Sequence, residues 1–376
     1  MLTDENLSII IPFHKNIEML KLSLATLQKT IKIEPEIIII ANNADLKEID
    51  LNLGREYNVI KIAGNLFWPK AVNLGVSLSR KDFIAICDPD LFYWDNWLSE
   101  LSKCLINNEN VGVVSSKLIN PLNNRIIDFG MAYNTFNVLH TTRGLLYNHP
   151  ITMCDRPVQA ACGATFLMRR KSFLDVNGID ESMPYIYCDN DFSLKLAKKG
   201  LSTWVVANSN VYHKGNTDKN NSKYYSFSYL REDSKAAFYA KNIAERKIDT
   251  NSWLKYFWEW YLKNTNLVQK NYILLDFCTL LDIDLYYNIF KYELNLNILD
   301  IYKFSVEQRN IYGLQLYNYV KTSMIDINIP FIYFVDNFVS LINNKIWFKL
   351  RDISRDLVID QHGNIINFCD IANSKV

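Results

Sequence analysis

The chain has 376 residues with 41 Lys plus Arg against 40 Asp plus Glu, so no global field holds nucleic acid or an anionic membrane, and a nucleic-acid partner is disfavoured. Apolar residues make up 49 % and charged residues 22 %, with only 12 Gly and 9 Pro, which excludes a disordered or low-complexity chain and leaves length for a sizeable core and two domains. Seven cysteines, at 87, 104, 154, 162, 188, 278 and 369, form no close pair; they fit neither a disulfide framework nor a zinc site, and point to a reducing, cytoplasmic compartment. The first residues, MLTDENLSIIIPF, carry acid where a signal peptide needs positive charge, so export is not expected.

In chain order, short and nearly continuous apolar runs alternate with segments of helical length. Leu7 to Pro12, Glu36 to Ala41, Val59 to Ile62, Phe83 to Cys87 and Gly112 to Ser115 read as strands buried on both faces. Between them, Ile17 to Lys29, Pro69 to Ser79 and Trp94 to Asn108 read as helices, which predicts an α/β fold with a parallel, doubly wound, Rossmann-like sheet. In such a sheet ligands bind beyond the carboxyl ends of the strands. Asn120 to Pro150 reads as a long loop or hairpin excursion. Gly163 to Arg169 and Thr203 to Ala207 return to strand, Lys171 to Val176 to a helical turn, and Asn190 to Lys199 to a helix capped by Asp189. Past about Gly215 the texture shifts to Asn, Lys, Tyr and Trp with longer helical stretches such as Tyr224 to Glu245 and Ser252 to Tyr261. This predicts a boundary between a domain at 1–215 and a mainly helical, aromatic-rich domain at 216–376. Charges from Lys255 to Asp284 interrupt the apolar run there, so it is read as helix that does not span a membrane.

Chemistry concentrates at predicted strand ends. Asp88-Pro89-Asp90 follows the strand Phe83 to Cys87, and paired carboxylates on a proline-stiffened turn suit a hard divalent cation that could also neutralise a diphosphate. Four further segments share its order: Asn65 to Gly75 (NLFWPKAVNLG), Gln159 to Arg170 (QAACGATFLMRR), Gly178 to Gly200 (GIDESMPYIYCDNDFSLKLAKKG), and His213. In this order and spacing the chain, over roughly residues 7 to 215, resembles the family 2 glycosyltransferases of GT-A fold, in particular the bacterial, non-processive, rhamnosyltransferase-like members.

The resemblance implies an inverting transfer of a sugar from a nucleoside diphosphate, UDP- or dTDP-sugars being favoured, to the hydroxyl of a glycan, lipid-linked or protein acceptor in bacterial surface polysaccharide or glycoconjugate synthesis. It implies Asp90 and His213 as ligands of Mn2+ or Mg2+, Asp88 on ribose or metal water, Asp189 as general base with Asp191 in support, and Pro12, Asn42, Lys70, Asn73, Gly163 and Ala164 along the donor. Departures are visible. Cys188 stands where the family has Glu, Asn42 and Asn43 stand where it has a base-reading Asp, and Phe67, Pro69 and Lys70 replace residues that are commonly glycine or small. Trp68 offers a ring that could stack on a ligand. A catalytically degenerate nucleotide-sugar-binding or scaffolding protein is the competing expectation. A nucleotidyltransferase would need a Gly-rich basic loop where this chain has Pro12-Phe13-His14-Lys15. The aromatic C-terminal region is compatible with acceptor binding, homo-oligomer formation or peripheral contact with the inner face of a membrane.

Overall fold

A computed structural model describes residues 2–42, 56–133, 138–215, 228–242, 271–278, 283–293, 296–303, 326, 328–336, 352–361 and 364–367. The chain divides into two compact units, one of Met1–Met131 with Thr142–Lys247 and one of Ala132–Thr141 with Ile248–Val376. Among the described residues no helix is long and apolar enough to cross a membrane.

The first unit is built on one large sheet. Its strands are β1 (Leu7–Phe13), β2 (Glu36–Ala41), β3 (Asn58–Lys61), β4 (Phe83–Cys87), β5 (Leu91–Tyr93), β6 (Val111–Ile119), β7 (Ile126–Asp128), β10 (Arg156–Val158), β11 (Thr165–Arg169) and β12 (Ser202–His213). A separate two-stranded sheet pairs β8 (Met131–Tyr133) with β9 (Val138–His140), of which Ala132 onward belongs to the second unit, so the segment read as a loop or hairpin excursion does contain paired strands. The main order is β10-β12-β6-β11-β4-β1-β2-β3, with β5 on β12 and β7 on β6. Strands β3, β2, β1 and β4 run parallel, as the apolar runs predict. Strand β11 runs antiparallel to both β4 and β6, so the sheet is mixed and not wholly parallel. The chain reaches β11 through the long excursion and not through a crossover helix, and an antiparallel entry needs no such crossover.

Two strands extend well beyond their apolar runs. Strand β6 continues through Ser115, Ser116 and Lys117, all buried, because each polar group is bonded. The Ser116 hydroxyl meets that of Ser209 at 2.8 Å, and Lys117 Nζ donates to the Tyr147 carbonyl at 2.9 Å. Strand β12 runs on to His213, which is its last residue.

Helices cover both faces. Helix α1 (Ile17–Thr30) buries Leu20, Leu24 and Leu27, a stripe at helical spacing, in one cluster with Leu7, Ile9 and Ile11 of β1 and with Trp97, Leu101 and Leu105 of α3 (Trp97–Asn107). Helix α2 (Phe67–Leu78) lies on the other face, where Gly75 meets Ile10 and Ile40. Helices α4 (Arg170–Asp175) and α5 (Cys188–Lys198) are joined by ring contacts of Phe192 with Phe173 and with Phe166 of β11. Helix α6 (Ser228–Asn242) completes the unit; 224–227 and 243–245 lie outside the described residues.

The second unit holds a sheet of order β14-β13-β15-β16-β17, with β13 Asn271–Phe277, β14 Asn297–Lys303, β15 Phe331–Val335, β16 Leu357–Ile359 and β17 Ile365–Asn367. Only β17 is antiparallel. Helix α7 (Ile283–Asn288) continues into a π-turn over Ile289–Glu293. Asn271–Phe277 falls in the stretch read as helix; its run YILLDF is buried at all six positions and carries no helical stripe. The expected helix Ser252 to Tyr261 lies outside the described residues.

Gly75 fixes how closely α2 approaches β1. A β-carbon there would stand 2.3 Å from Ile10 Cγ2, a methyl on a stiff β-branched residue. Gly75→Ala is expected to lower the unfolding free energy by about 1–2 kcal/mol, the overpacking penalty outweighing alanine's better helix propensity. Chemical denaturation measures this, and a variant as stable as the wild type would contradict the packing.

Candidate metal and catalytic site

The carboxyl ends of β4 and β12 meet through β5. This strand pairs antiparallel with the end of β12, with Leu91 opposite His213 and Tyr93 opposite Val211. Asp90, directly before Leu91, is thereby set beside His213, and its carbonyl accepts from Lys214 N at 3.2 Å. His213 Nε2 lies 3.4 Å from Asp90 Oδ1. One possible ligand atom from each of Asp88, Asp90 and His213 lies within 4.8 Å of the others, the one such group among the described residues.

The electrostatics of the trio follow from burial and from mutual charge. Burial, then the neighbouring Asp90, pushes the Asp88 carboxyl up to about 6. At Asp90 burial acts in the same upward direction, but the hydrogen bond and charge of His213 outweigh it and hold that carboxyl below its ordinary value. His213 is lifted in return: burial alone would lower it, and Asp90 raises it more. His213 Nδ1 is buried without a hydrogen-bond partner. Two crowded carboxylates and an imidazole form an oxygen-and-nitrogen donor set of the kind that takes a Mn2+-like ion, so the residues fit the expected cation.

Asp88 is held from two sides. Its N–H donates to the Ala164 carbonyl at 2.9 Å, and its Oδ1 accepts from the Trp68 indole at 2.8 Å. Trp68 sits in the first turn of α2, where Pro69 loses no intrahelical bond by lacking an N–H. Phe67 has φ 59, the left-handed conformation a glycine adopts freely, and its N–H is tied to Asn65 Oδ1 at 2.8 Å.

Asp189 faces the same loop that supports Asp88. Its Oδ2 accepts from Gly163 N at 3.1 Å, and its Oδ1 accepts from Asn190 N at 2.9 Å and from the Asn190 amide at 3.2 Å. It is not the cap of α5. Tyr187 is, in a left-handed conformation without a side-chain capping bond. Cys188 is buried, and burial followed by the Asp189 charge raises its thiol well above the ordinary range, so it supplies no negative charge in place of the family's Glu.

Several expected residues are occupied elsewhere. Asp191 is fully buried: its Oδ1 accepts from Asn242 Nδ2 at 3.0 Å and lies 3.0 Å from Lys241 Nζ, while Lys195 Nζ lies 3.9 Å from its Oδ2. It ties α5 to α6 instead of standing beside Asp189. Asn73 is also engaged, its amide donating to the Ile179 carbonyl and to Glu181, each at 2.9 Å, and accepting from Ile179 N at 3.0 Å. That clamp holds the loop before α5. Lys70 is exposed on α2, and Pro12 is buried within β1 opposite Ile40. Asn42 follows β2, buried, with its N–H donating to the Phe13 carbonyl at 2.8 Å and its Oδ1 without a partner; Asn43 lies outside the described residues.

Sequence reading did not single out the grip of α6 on the segment before α5. Phe238 stacks on Tyr187 with centroids 4.9 Å apart, Ser234 Oγ accepts from Tyr185 N at 3.3 Å, and Lys241 reaches Asp180 at 2.5 Å. These partners lie 49 to 61 residues apart, so no local pattern announces them. Asp191→Ala is expected to lower the unfolding free energy by about 1–3 kcal/mol, because it strands Asn242 and two partly screened lysines. An unchanged denaturation midpoint would contradict the buried network.

Comparison with known proteins finds a family model that matches part of the chain. No curated protein sequence matches the chain. Similar solved structures include GalNAc-T7 with UDP, GalNAc and Mn2+, at 17 % identity and TM-score 0.45, the match covering 69 % of this chain and 57 % of that one. Others are the mannosyltransferase PcManGT from Pyrobaculum calidifontis with GDP-Man and Mn2+ (13 %, 0.46, covering 70 % and 71 %) and S. aureus TarS 1–349 (13 %, 0.40, covering 67 % and 79 %). The family model described as glycosyl transferase family 2 matches residues 8–176, from β1 to the end of α4. That span takes in the turn bearing Asp88 and Asp90 and the Gly163 loop, so this part of the chain is similar to the family 2 glycosyltransferases.

Proposed function

We propose that the protein is a metal-dependent, inverting glycosyltransferase that moves a sugar from a nucleoside-diphosphate donor, a UDP- or dTDP-sugar, to an acceptor hydroxyl. The observation that carries this reading is the convergence of Asp88, Asp90 and His213 at one sheet edge, with Asp189 tied to the loop that also supports Asp88. A divalent cation held by Asp90 and His213, with Asp88 beside it, would neutralise the diphosphate as it leaves. The unpartnered Oδ1 of Asn42 suits a ring N–H of the base.

Asp189 takes the proton from the acceptor hydroxyl, the oxygen forms its bond to the anomeric carbon from the face opposite the diphosphate, and the bond from that carbon to the diphosphate oxygen breaks. One displacement of this kind inverts the anomeric configuration. Gly163 N–H keeps Asp189 an oriented acceptor. In this reading residues 1–215 carry out the chemistry, and 216–376 serve acceptor binding, self-association or contact with the inner face of a membrane. The acceptor is a glycan, lipid-linked or protein hydroxyl in surface polysaccharide or glycoconjugate synthesis. The neutral Cys188 favours, as a second reading, a binding protein without turnover; release of a nucleoside diphosphate separates the two.

Two predictions test the mechanism. Asp90→Asn and His213→Ala should each abolish Mn2+-dependent release of nucleoside diphosphate with melting temperatures near that of the wild type; wild-type release undiminished by a chelator would sink the metal assignment. Asp189→Asn should slow transfer by about 10²- to 10⁴-fold with donor affinity little changed, the usual contribution of a general base. Wild-type turnover in that variant would remove Asp189 from the mechanism.

A further inference from the structure

Trp68 is joined to the supports of both carboxylates on which the proposed reaction depends. Its indole N–H donates to Asp88 Oδ1 at 2.8 Å. The benzo edge of the same ring, adjoining the N–H, lies against Gly163, where a β-carbon would stand 2.8 Å from Cη2 and 3.0 Å from Cζ2. Gly163 N–H in turn donates to Asp189 Oδ2 at 3.1 Å, and that β-carbon would also come within 3.3 Å of Asp189 Cβ. The backbone that delivers Trp68 is strained at Phe67, in a region disfavoured for residues with a β-carbon and kept only where the surroundings over-determine it.

We infer that Trp68 is a positioning residue, a rigid strut that fixes Asp88 through its N–H and the Gly163–Asp189 contact through its benzo edge. An indole suits this task because it joins one directional donor to a flat plate with only two rotatable bonds behind it. With Oδ1 of Asp88 engaged by Trp68, the orientation of that carboxylate is set before any ligand arrives. With the plate against Gly163, the loop bearing the Asp189 partner cannot move toward α2. Asp88 and Asp189 are thereby held at one separation. The importance of that separation rests on the glycosyl-transfer reading, whereas the strut is a property of the ligand-free protein.

Two measurements on the full-length chain test it. In a 15N spectrum of tryptophan-labelled protein, which has eight tryptophans, the Trp68 indole signal is the one lost in Trp68→Phe. It should lie downfield and exchange slowly. It should move upfield in Asp88→Ala and also shift in Gly163→Ala, which acts at the benzo edge beside the N–H. An indole signal indifferent to either change overturns the strut. In calorimetric titration with Mn2+ alone, Trp68→Phe keeps an aromatic ring but loses the N–H and should weaken binding by about 10- to 100-fold, as loss of a supporting hydrogen bond around a metal site commonly does. Gly163→Ala should weaken it similarly. The double variant should be no worse than the weaker single one, because both changes break the same strut. Losses that multiply in the double variant would show independent roles and overturn the inference. A wild type that binds no Mn2+ would count against the proposed metal site, while the indole signal would still decide the strut.

Discussion

Asp88 and Asp90 stand two residues apart at the end of a buried strand, and keeping both ionised there is opposed by burial and by their mutual repulsion. The groups around them respond to that strain. His213 comes from more than a hundred residues away to sit against Asp90, and Trp68 donates an N–H to Asp88. Asp88 still rises to about 6, so the offset is incomplete. A site short of positive charge in this way gains free energy when a cation enters, and a doubly charged one gains most. Strand register makes the arrangement reproducible: the pairing of β5 with β12 sets Asp90 beside His213 regardless of side-chain rotamer.

The two aspartates at the start of α5 show how one helix divides structural and chemical work. Asp189 turns toward Gly163, and Asp191, two residues on, turns to Lys241 and Asn242 of α6. Residues two apart on a helix do not share a face, so the spacing itself enforces the division. The consequence is mechanical. Helix α6 grips α5 through a fully buried carboxylate and stacks Phe238 on the strained Tyr187, so the orientation of Asp189 depends on a helix 40 residues downstream.

Much of this was legible in the sequence, for identifiable reasons. Strands β1, β2 and β4 are continuous apolar runs because both faces are covered, and the Asp88-Pro89-Asp90 turn stands out by following one of them directly. The proximity of His213 was visible only through the ordered series of segments shared with a known family, since nothing local marks the histidine. Other features resist reading from sequence. Strand direction leaves no trace in a five-residue run such as Thr165–Arg169, so β11 reads the same whether parallel or antiparallel. Strand β6 hides behind Ser115, Ser116 and Lys117, whose hydrogen bonds are made by distant residues. Asn73 looks ready for a ligand until its amide proves to be spent on Ile179 and Glu181. Phe67 breaks the expected glycine pattern while keeping the glycine-like backbone, which composition cannot show.

In the reading proposed above, a cation completes this site and the nucleotide binds through it. The most direct measurement is the melting temperature of the full-length protein with UDP, dTDP or GDP, each with Mn2+ and with a chelator, because a ligand that binds only the folded state raises its stability in proportion to its affinity. One nucleoside diphosphate should raise the melting temperature markedly with Mn2+ and little without it. An equal shift in chelator, or no shift with any nucleotide and metal together, would contradict the account.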